Sequence, residues 1–215
     1  MHPGCGKLPP VPDEVDLEEA VRRAATLADA GPRVVLGVAG PPGAGKSTVA
    51  AAVVQALGPA AAVLVPMDGF HLAGAALQQL GRAERKGAPD TFDRAGFVAL
   101  LARLREVSGE VVWAPEFRRE IEEPVAGAIA VDPAVPLVVT EGNYLLLWPE
   151  VRPLLDECWW AAVPEPVRRE RLTDRHAAYG KDVAAARAWA EGPDEANARL
   201  VASGRELADL VVRVP

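Results

Sequence analysis

One stretch of the sequence, from Arg33 to Thr48, restricts the fold more than any other. It reads RVVLGVAGPPGAGKST, an apolar run rich in β-branched residues followed by a glycine-rich segment. Residues 40–47 fit the pattern G-x-x-x-x-G-K-[ST] at every required position. The apolar run, Val34 to Ala39, predicts a buried strand, and Ser47 to Leu57 predicts a helix that ends before a Gly-Pro pair. The sequence therefore predicts a strand, a tight glycine-rich loop and a helix in succession.

A loop of this kind binds phosphate. Its glycines allow backbone N–H groups to turn inward around an anion, and the helix that follows points its positive end at the same place. In this pattern Lys46 reaches the terminal phosphates of a nucleotide, and the hydroxyl of Ser47 ligates Mg²⁺. We therefore expect ATP and Mg²⁺ to bind here; a glycine-rich turn that binds no nucleotide is the alternative. The residues predicted to contact the nucleotide are Gly40, Gly43, Ala44, Gly45, Lys46, Ser47 and Thr48.

Composition limits the partners of the chain. It has 215 residues and a formal net charge of −7 at pH 7, which argues against a nucleic-acid-binding protein that relies on general electrostatics. No apolar stretch is long enough to span a bilayer, and Met1 to Pro12 lacks the hydrophobic core of a signal peptide. We expect a cytoplasmic monomer or homodimer with a small-molecule partner and no nucleic-acid or membrane partner. Residues 1–12 are expected to form a disordered tail, and residues 13–215 a single domain.

Apolar runs and helical patterns alternate along the rest of the chain. Strands are predicted at 61–66, 137–140, 159–163 and 210–214, and helices at 13–30, 149–157, 166–178, 183–190 and 194–203. Asp93 is predicted to cap a further helix. Residues 111–113 predict a short strand, and the extended, polar segment 114–131 predicts a small hairpin or flap. Strands alternating with helices are typical of an α/β fold with three layers, α/β/α, around a mainly parallel central sheet.

Acidic residues at two predicted strand ends are the candidates for catalysis. Asp68 follows the strand at 61–66 and Glu141 follows the strand at 137–140, where ligands bind in open α/β sheets. Phosphoryl transfer from ATP to a hydroxyl needs cations and a carboxylate that orients or deprotonates the attacking oxygen. We assign Asp68 as the base because the polar stretch beside it would hold an acceptor. Glu141 is assigned to Mg²⁺, through water, or to a second base; ordinary turn or cap roles are the alternative for both.

Several residues near Asp68 are predicted to contact the acceptor. His71 lies three positions after Asp68, at the same predicted edge of the sheet; capping of a loop is the alternative. Arg82 and Lys86 belong to the polar segment that follows. Aromatic residues are predicted either to wall the acceptor pocket or to belong to the core, namely Phe70, Phe92, Phe117 and Tyr144.

The helix predicted at 166–178 is rich in arginine, with Arg168, Arg169, Arg171 and Arg175. Arginines on a mobile helix close over the γ-phosphate of ATP and stabilise the charge that develops there. Arg171 and Arg175 are four residues apart and share one face, so we assign this role in a helical lid to them. In the alternative, the arginines pair with Glu165, Glu170 and Asp174 on a solvent-exposed face.

The segments GPPGAGKST, MDGFH, RKGAPDTFD, APEFRREIEEPVAG and TEGNYLLL follow one another and precede the arginine-rich helix. This order resembles the P-loop kinases of the group that contains uridine kinase, phosphoribulokinase and type I pantothenate kinase, and is most similar to bacterial nucleoside/nucleotide kinase family proteins. The resemblance covers the chain from Val34 to the last predicted strand. It implies a P-loop NTPase fold. The residues that it implies are Asp68 as the catalytic base, Lys46 and Ser47 at the phosphates, Glu141 at its strand end, Lys86 and Phe92 on the acceptor side, and lid arginines within 168–175.

The expected function is therefore that of a kinase dependent on ATP and Mg²⁺. We expect it to phosphorylate a hydroxyl of a small polar metabolite, with nucleosides first and pantothenate or a sugar next. The lid segment of uridine kinases has a different order of Arg and Asp from that at 171–175, so the resemblance does not fix the acceptor. One alternative is a nucleoside monophosphate kinase, in which Arg82, Arg85 and Arg118 would hold the acceptor phosphate. Another is a nucleotide-switched binding protein without a small acceptor; no N-K-x-D stretch that would read guanine is present.

Overall fold

The computed structural model describes residues 12–180 and 182–215. The predicted disordered tail lies outside the described residues, apart from Pro12, and stays a prediction. Within these ranges the strands are β1 (Asp13–Val15), β2 (Val34–Ala39), β3 (Ala62–Leu64), β4 (Val112–Arg118), β5 (Glu123–Val131), β6 (Leu137–Gly142), β7 (Glu157–Ala162) and β8 (Leu210–Arg213). The α-helices are α1 (Leu17–Ala28), α2 (Lys46–Leu57), α3 (Gly74–Gln79), α4 (Arg94–Arg105), α5 (Glu165–Ala178), α6 (Val183–Glu191) and α7 (Pro193–Val201). Short 3₁₀ turns occur at Met67–Phe70, Ala83–Arg85, Pro89–Thr91, Arg152–Leu154 and Ala202–Leu207.

Six of the strands form one parallel sheet in the order β1-β8-β7-β2-β6-β3. The strand β2 lies between β6 and β7, and all its residues are buried. In-register pairing of Val38 with Glu141 and of Ala39 with Gly142 brings the carboxyl ends of β2 and β6 to one edge. The strands β4 and β5 form a separate antiparallel hairpin, which confirms the hairpin predicted from the sequence.

Helices cover both faces of the sheet. Side chains alternate between the two faces along β2, so that Leu36 packs with Ala24 of α1 and Val53 of α2, whereas Val35 packs in the cluster that contains Phe97 of α4. This arrangement confirms the predicted three-layer α/β/α fold. Over residues 12–180 and 182–215, no helix is both long enough and apolar enough to cross a membrane.

The helix predicted at 13–30 is wrong at its beginning. Residues Asp13–Val15 instead extend the sheet by pairing in parallel with β8. The helix starts after Asp16, whose carboxylate accepts a hydrogen bond of 2.9 Å from the amide of Glu19. The partner strand lies almost two hundred residues away in the sequence, and a pattern read locally does not contain that pairing.

The helix predicted at 149–157 is wrong. The structure has a single 3₁₀ turn there, Arg152–Leu154, which contains Pro153. Proline removes an amide donor from a helix interior, and the carboxylate of Asp156 accepts a hydrogen bond of 2.8 Å from the amide of Val35 in β2. This bond fixes the entry into β7. The polar segment after Asp68 also contains a short helix, α3, that the sequence pattern did not indicate.

Candidate active site

The glycine-rich loop joins β2 to α2 and has the conformation that its glycines permit. Gly43 and Gly45 have φ angles of 79° and 87°, in the left-handed region that other residues rarely adopt. Gly45 is the N-cap of α2, and no side chain caps this helix end. The first amides of α2 therefore lack a side-chain acceptor, which is the arrangement that a bound phosphate would complete.

Lys46 is held at the beginning of α2 by two oxygen atoms. Its Nζ atom donates to Oδ1 of Asn143 at 2.7 Å and to the carbonyl of Pro41 at 3.1 Å. Burial lowers the pKa of Lys46, and the nearby carboxylates of Glu141 and Asp68 oppose this effect. The ammonium group is thus fixed beside the loop with acidic groups around it.

Glu141 lies at the end of β6, one strand away from the loop. Its Oε1 atom accepts a hydrogen bond of 3.0 Å from the hydroxyl of Ser47. Burial raises the pKa of Glu141, and so does the carboxylate of Asp68, while Lys46 acts in the opposite direction. The two residues predicted to hold a metal ion, Ser47 and Glu141, are therefore in direct contact.

Asp68 lies in the 3₁₀ turn after β3, the strand next to β6 in the sheet. Its side chain is 32% exposed, and its Oδ2 atom lies 3.7 Å from a guanidinium nitrogen of Arg119 in the turn of the hairpin. The order of β2, β6 and β3 explains why Lys46, Glu141 and Asp68 meet, since each lies at or just beyond the carboxyl end of one of these strands.

These residues open into one cavity with a volume of about 450 Å³. Of the residues predicted to act in the site, the cavity brings together Lys46, Ser47, Asp68, His71, Lys86, Phe92, Glu141 and Arg175. Its other walls come from the hairpin, from α5 and from α7. The volume is in the range of pockets that enclose small ligands.

An imidazole between aromatic rings forms the wall next to Asp68. The ring of His71 stacks on Phe92 with centroids 3.9 Å apart, and Phe117 lies at 4.8 Å. Burial lowers the pKa of His71 to about 4, so the ring is neutral at neutral pH. Its Nδ1 atom is buried and has no hydrogen-bond partner among the described residues. This wall is therefore an uncharged imidazole ring packed between two phenyl rings.

Arg175 brings a guanidinium to the cavity from α5. Burial lowers its pKa, and so does the nearby guanidinium of Arg119, while Asp194 raises it. Two cationic groups from different elements, the hairpin and the predicted lid, thus face the same space as Lys46. Such a cluster is suited to stabilise negative charge that develops on a transferred phosphoryl group.

Four of the predicted site residues lie elsewhere. Phe70 packs edge-to-face on Phe97 at 5.2 Å, and Arg82 forms an ion pair of 3.4 Å with Asp90. Tyr144 is buried, and its hydroxyl donates to the carbonyl of Gly87. Arg171 donates to the carbonyl of Pro215. None of the four, Phe70, Arg82, Tyr144 and Arg171, contributes to the wall of the cavity.

The placement of Arg171 has a simple geometric reason. Residues four apart share a face of a helix, but they are also about 6 Å apart along its axis. Arg175 therefore reaches the cavity, whereas Arg171 lies one turn earlier, beside the end of β8.

The other residues predicted to contact the nucleotide lie in the loop and at the start of α2. Gly40, Gly43, Ala44 and Gly45 belong to the loop, and Thr48 is exposed on the first turn of α2.

Sequence reasoning missed several residues of the cavity. Asn143 follows the predicted strand end at Glu141, so its position was a signal that could have identified it. Phe117 of the hairpin was expected in the pocket wall or in the core, and it lies in the wall. Arg119 and Glu122 also come from the hairpin, and no local pattern indicates that it folds over the site. The remaining cavity residues that were not predicted are Pro42 of the loop, Ala83 and Gly87 of the polar segment after Asp68, His176 of α5, Tyr179 just after α5, Trp189 of α6, and Pro193, Asp194 and Asn197 of α7.

The chain is similar in sequence to known proteins. No protein-family model matches the chain. It is 34% identical over 181 residues to a Schizosaccharomyces pombe protein named "Putative uridine kinase C227.14", across 79% of this chain and 77% of that protein. It is 38% identical over 133 residues to the "ATP-dependent kinase-like protein notR'" of Aspergillus versicolor, across 56% of this chain and 77% of that protein.

A solved structure shows the same fold. The crystal structure titled "putative fructose transport system kinase" from Silicibacter sp. TM1040 superimposes with a TM-score of 0.79. The two sequences are 35% identical, and the match covers 94% of this chain and 100% of that chain. Similarity in sequence and in fold thus extends over nearly the whole chain.

Proposed function

Because this chain belongs to the P-loop kinases of the uridine kinase and pantothenate kinase group and is an ATP-dependent kinase, we propose that it phosphorylates a hydroxyl of a small polar metabolite. The observation that carries this proposal is the position of Asp68. Its carboxylate lines the same cavity as the loop lysine. A hydroxyl acceptor has a proton to lose, and a carboxylate at this position can accept it.

The proposed reaction follows from the positions of the side chains. Asp68 accepts the proton of the acceptor hydroxyl while the hydroxyl oxygen forms a bond to the γ-phosphorus of ATP. The bond from this phosphorus to the oxygen that bridges to the β-phosphate breaks, and ADP leaves with that oxygen. Lys46 and Arg175 stabilise the negative charge of the phosphoryl group in transit.

We propose that Ser47 and Glu141 hold Mg²⁺. A hydroxyl and a carboxylate in contact at 3.0 Å offer the oxygen ligands that this ion prefers, and one carboxylate with phosphate oxygens and waters is a common set for it. In residues 12–180 and 182–215 there is no group of three His, Cys, Asp or Glu that could hold a metal by itself. When bound, the ion neutralises charge on the phosphates; Glu141 orients it from the protein side.

The charges of the cavity favour an uncharged acceptor. Its wall has four basic and four acidic side chains: Lys46, Lys86, Arg119 and Arg175 against Asp68, Glu122, Glu141 and Asp194. On the acceptor side, Lys86 lies 3.4 Å from Glu122. We propose nucleosides as the first class to test, followed by sugars. Pantothenate carries a carboxylate, so the charge balance favours it less than these uncharged compounds.

A nucleoside monophosphate kinase would need free cations for the acceptor phosphate. The arginines suggested for that role are occupied, because Arg82 and Arg85 both pair with Asp90 and Arg118 pairs with Glu116. None of these arginines lies in the wall of the cavity. This observation supports a hydroxyl acceptor over a phosphate acceptor.

The test is ADP release from Mg-ATP in the presence of nucleosides, nucleoside monophosphates, sugars and pantothenate. One hydroxyl compound should raise turnover, and Asp68→Asn should reduce the rise on the order of 10² to 10⁴-fold while nucleotide still binds. Asp174→Asn is the matched control, since Asp174 is exposed on α5 and away from the cavity. ATP turnover that no acceptor raises, and that Asp68→Asn leaves unchanged, would instead support the nucleotide-switched binding protein.

A further inference from the structure

We propose that Glu195 of α7, acting through Arg168, positions the phosphate-binding loop, so that α7 controls nucleotide affinity without touching the nucleotide. This inference rests on the proposed function, and it concerns a helix to which sequence reasoning gave no role in the site. Both residues are positioning residues: their contacts reach the main chain of the loop and not the substrates. Three observations carry the proposal: the contact of Arg168 with the loop, the environment of Glu195, and the other contacts of α7.

Arg168 lies beneath the phosphate-binding loop. Its side chain is only 2% exposed, and its Nη1 atom donates to the carbonyl of Pro42 at 3.1 Å. The main chain of Arg168 also contacts the loop, because a Cβ atom at Gly43 would lie 2.7 Å from its carbonyl oxygen. The beginning of α5 is therefore packed directly against the loop. Arg168 belongs to the arginines expected in the lid, but it is part of the support of the loop.

Glu195 holds the guanidinium of Arg168 in this buried position. The two side chains are 2.6 Å apart, and Glu195 is 15% exposed. The other carboxylate on Arg168, that of Glu165, is 51% exposed. Glu165 also accepts from Nε of Arg168 at 2.9 Å, so loss of the Glu195 charge would leave the buried guanidinium with one carboxylate, the exposed one, in place of two. Because a buried charge needs its partners, this loss should shift Arg168 and with it the carbonyl of Pro42.

The carboxylate of Glu195 also contacts Arg199, an exposed arginine that supplies a control. Arg199 lies 3.3 Å from Glu195, and its side chain is 80% exposed. Ion pairs of this exposed kind contribute little to stability. Removal of Arg199 should therefore leave the loop in place, although it removes a contact of the same glutamate.

The helix α7 also supports the opposite wall of the cavity. Asn197 donates to the carbonyl of Gly87 at 3.4 Å, the carbonyl that also accepts from Tyr144. Asp194 lies 2.7 Å from Nε2 of His176 on α5. One helix thus holds the nucleotide side through Glu195 and the acceptor side through Asn197. The two contacts are separable by mutation, since they lie on different residues.

The first measurement is the affinity for Mg-ADP, determined by titration calorimetry without any acceptor. Glu195→Gln keeps the size of the side chain and removes its charge, and it should weaken Mg-ADP binding about tenfold or more. Arg168→Lys should have a similar effect, because lysine cannot contact Pro42, Glu165 and Glu195 at once. Arg199→Gln should bind like the wild type. If Glu195→Gln is folded and binds Mg-ADP with wild-type affinity, the proposal is wrong.

The second measurement separates positioning from general stability. With an active acceptor, Glu195→Gln should raise the KM for ATP about tenfold and leave the KM for the acceptor unchanged, whereas Asn197→Ala should do the reverse. Equal changes in both KM values, together with a lower unfolding temperature, would mean that Glu195 is merely structural and would overturn the inference. If the protein binds Mg-ADP but no tested compound raises turnover, the proposal of a hydroxyl kinase is wrong. The role of Glu195 is then still tested by calorimetry with Mg-ADP, because that measurement needs no acceptor.

Discussion

Gly43→Ala should damage both the stability of the protein and its affinity for nucleotide. An alanine there needs a φ of 79°, which costs a residue with a side chain about 1 to 2 kcal/mol. The new Cβ atom would also lie 2.7 Å from the carbonyl oxygen of Arg168 and 2.8 Å from Cγ of Leu172. Since a main-chain atom cannot rotate away, the loop and α5 must separate. Overpacking of this kind adds about 1 to 3 kcal/mol.

Gly58→Ala supplies the matched control. Gly58 has the same φ of 79°, with a ψ of 165°, and a Cβ atom there would meet nothing within 4 Å. Urea unfolding should therefore show a loss of about 2 to 5 kcal/mol for Gly43→Ala and a loss of about 1 to 3 kcal/mol, from the backbone alone, for Gly58→Ala. Calorimetry with Mg-ADP should show at least about tenfold weaker binding for Gly43→Ala only. Equal losses of stability with equal affinities would refute the packing of α5 on the loop.

Two further predictions concern titratable groups of the cavity. Burial and Asp68 raise the pKa of Glu141, so stability is lost as pH rises from its ordinary value of 4.5 towards the raised pKa; Glu141→Gln should raise the unfolding temperature at pH 7 and lower turnover by about 10- to 100-fold. A lower unfolding temperature with normal turnover would contradict this. The pKa of His71 is about 4 in the fold and 6.5 as its ordinary value, so the unfolded chain takes up the proton first and stability is lost as pH falls from 6.5 towards 4. Urea unfolding at pH 7 and pH 4.5 should show that the free energy of unfolding falls by about 2 to 3 kcal/mol less in His71→Gln than in the wild type. Equal losses in the two proteins would show that His71 is not buried as described.

The residues at strand ends could be predicted because their positions depend on local patterns and on one general rule. The apolar runs before Asp68 and Glu141 predict strands, and the carboxyl ends of parallel strands share one edge of a sheet. The structure adds the strand order that makes them neighbours, with β6 between β2 and β3. Lys46 and Ser47 follow from a pattern of consecutive residues, which needs no knowledge of distant contacts.

Arg119, which the hairpin brings to the cavity, could not be predicted because its position depends on distant contacts. Arg119 reaches Asp68 only because the hairpin folds over the turn after β3, where a Cβ atom at Gly69 would lie 2.3 Å from the carbonyl oxygen of Pro115. Tyr144 and Phe70 are residues of a type that often lines pockets, but their side chains contact other parts of the protein instead. Tyr144 bonds to Gly87 and Phe70 packs on Phe97. A sequence pattern records the type of side chain and not these partners.

The predicted lid is anchored at one end, which limits how it can move. Arg168 bonds to the phosphate-binding loop and Leu172 is fully buried against it, so the first half of α5 cannot swing without breaking the support of the loop. Arg175 lies beyond Leu172, and Gly180 follows the helix with a φ of 95°. Because the first half of α5 is fixed, we infer that any closure bends the chain after Leu172 and either breaks the contact of His176 with Asp194 or moves Asp194 with it. Arg175 can then move towards the γ-phosphate while Arg168 stays in place, so arginines of one helix divide between support and catalysis.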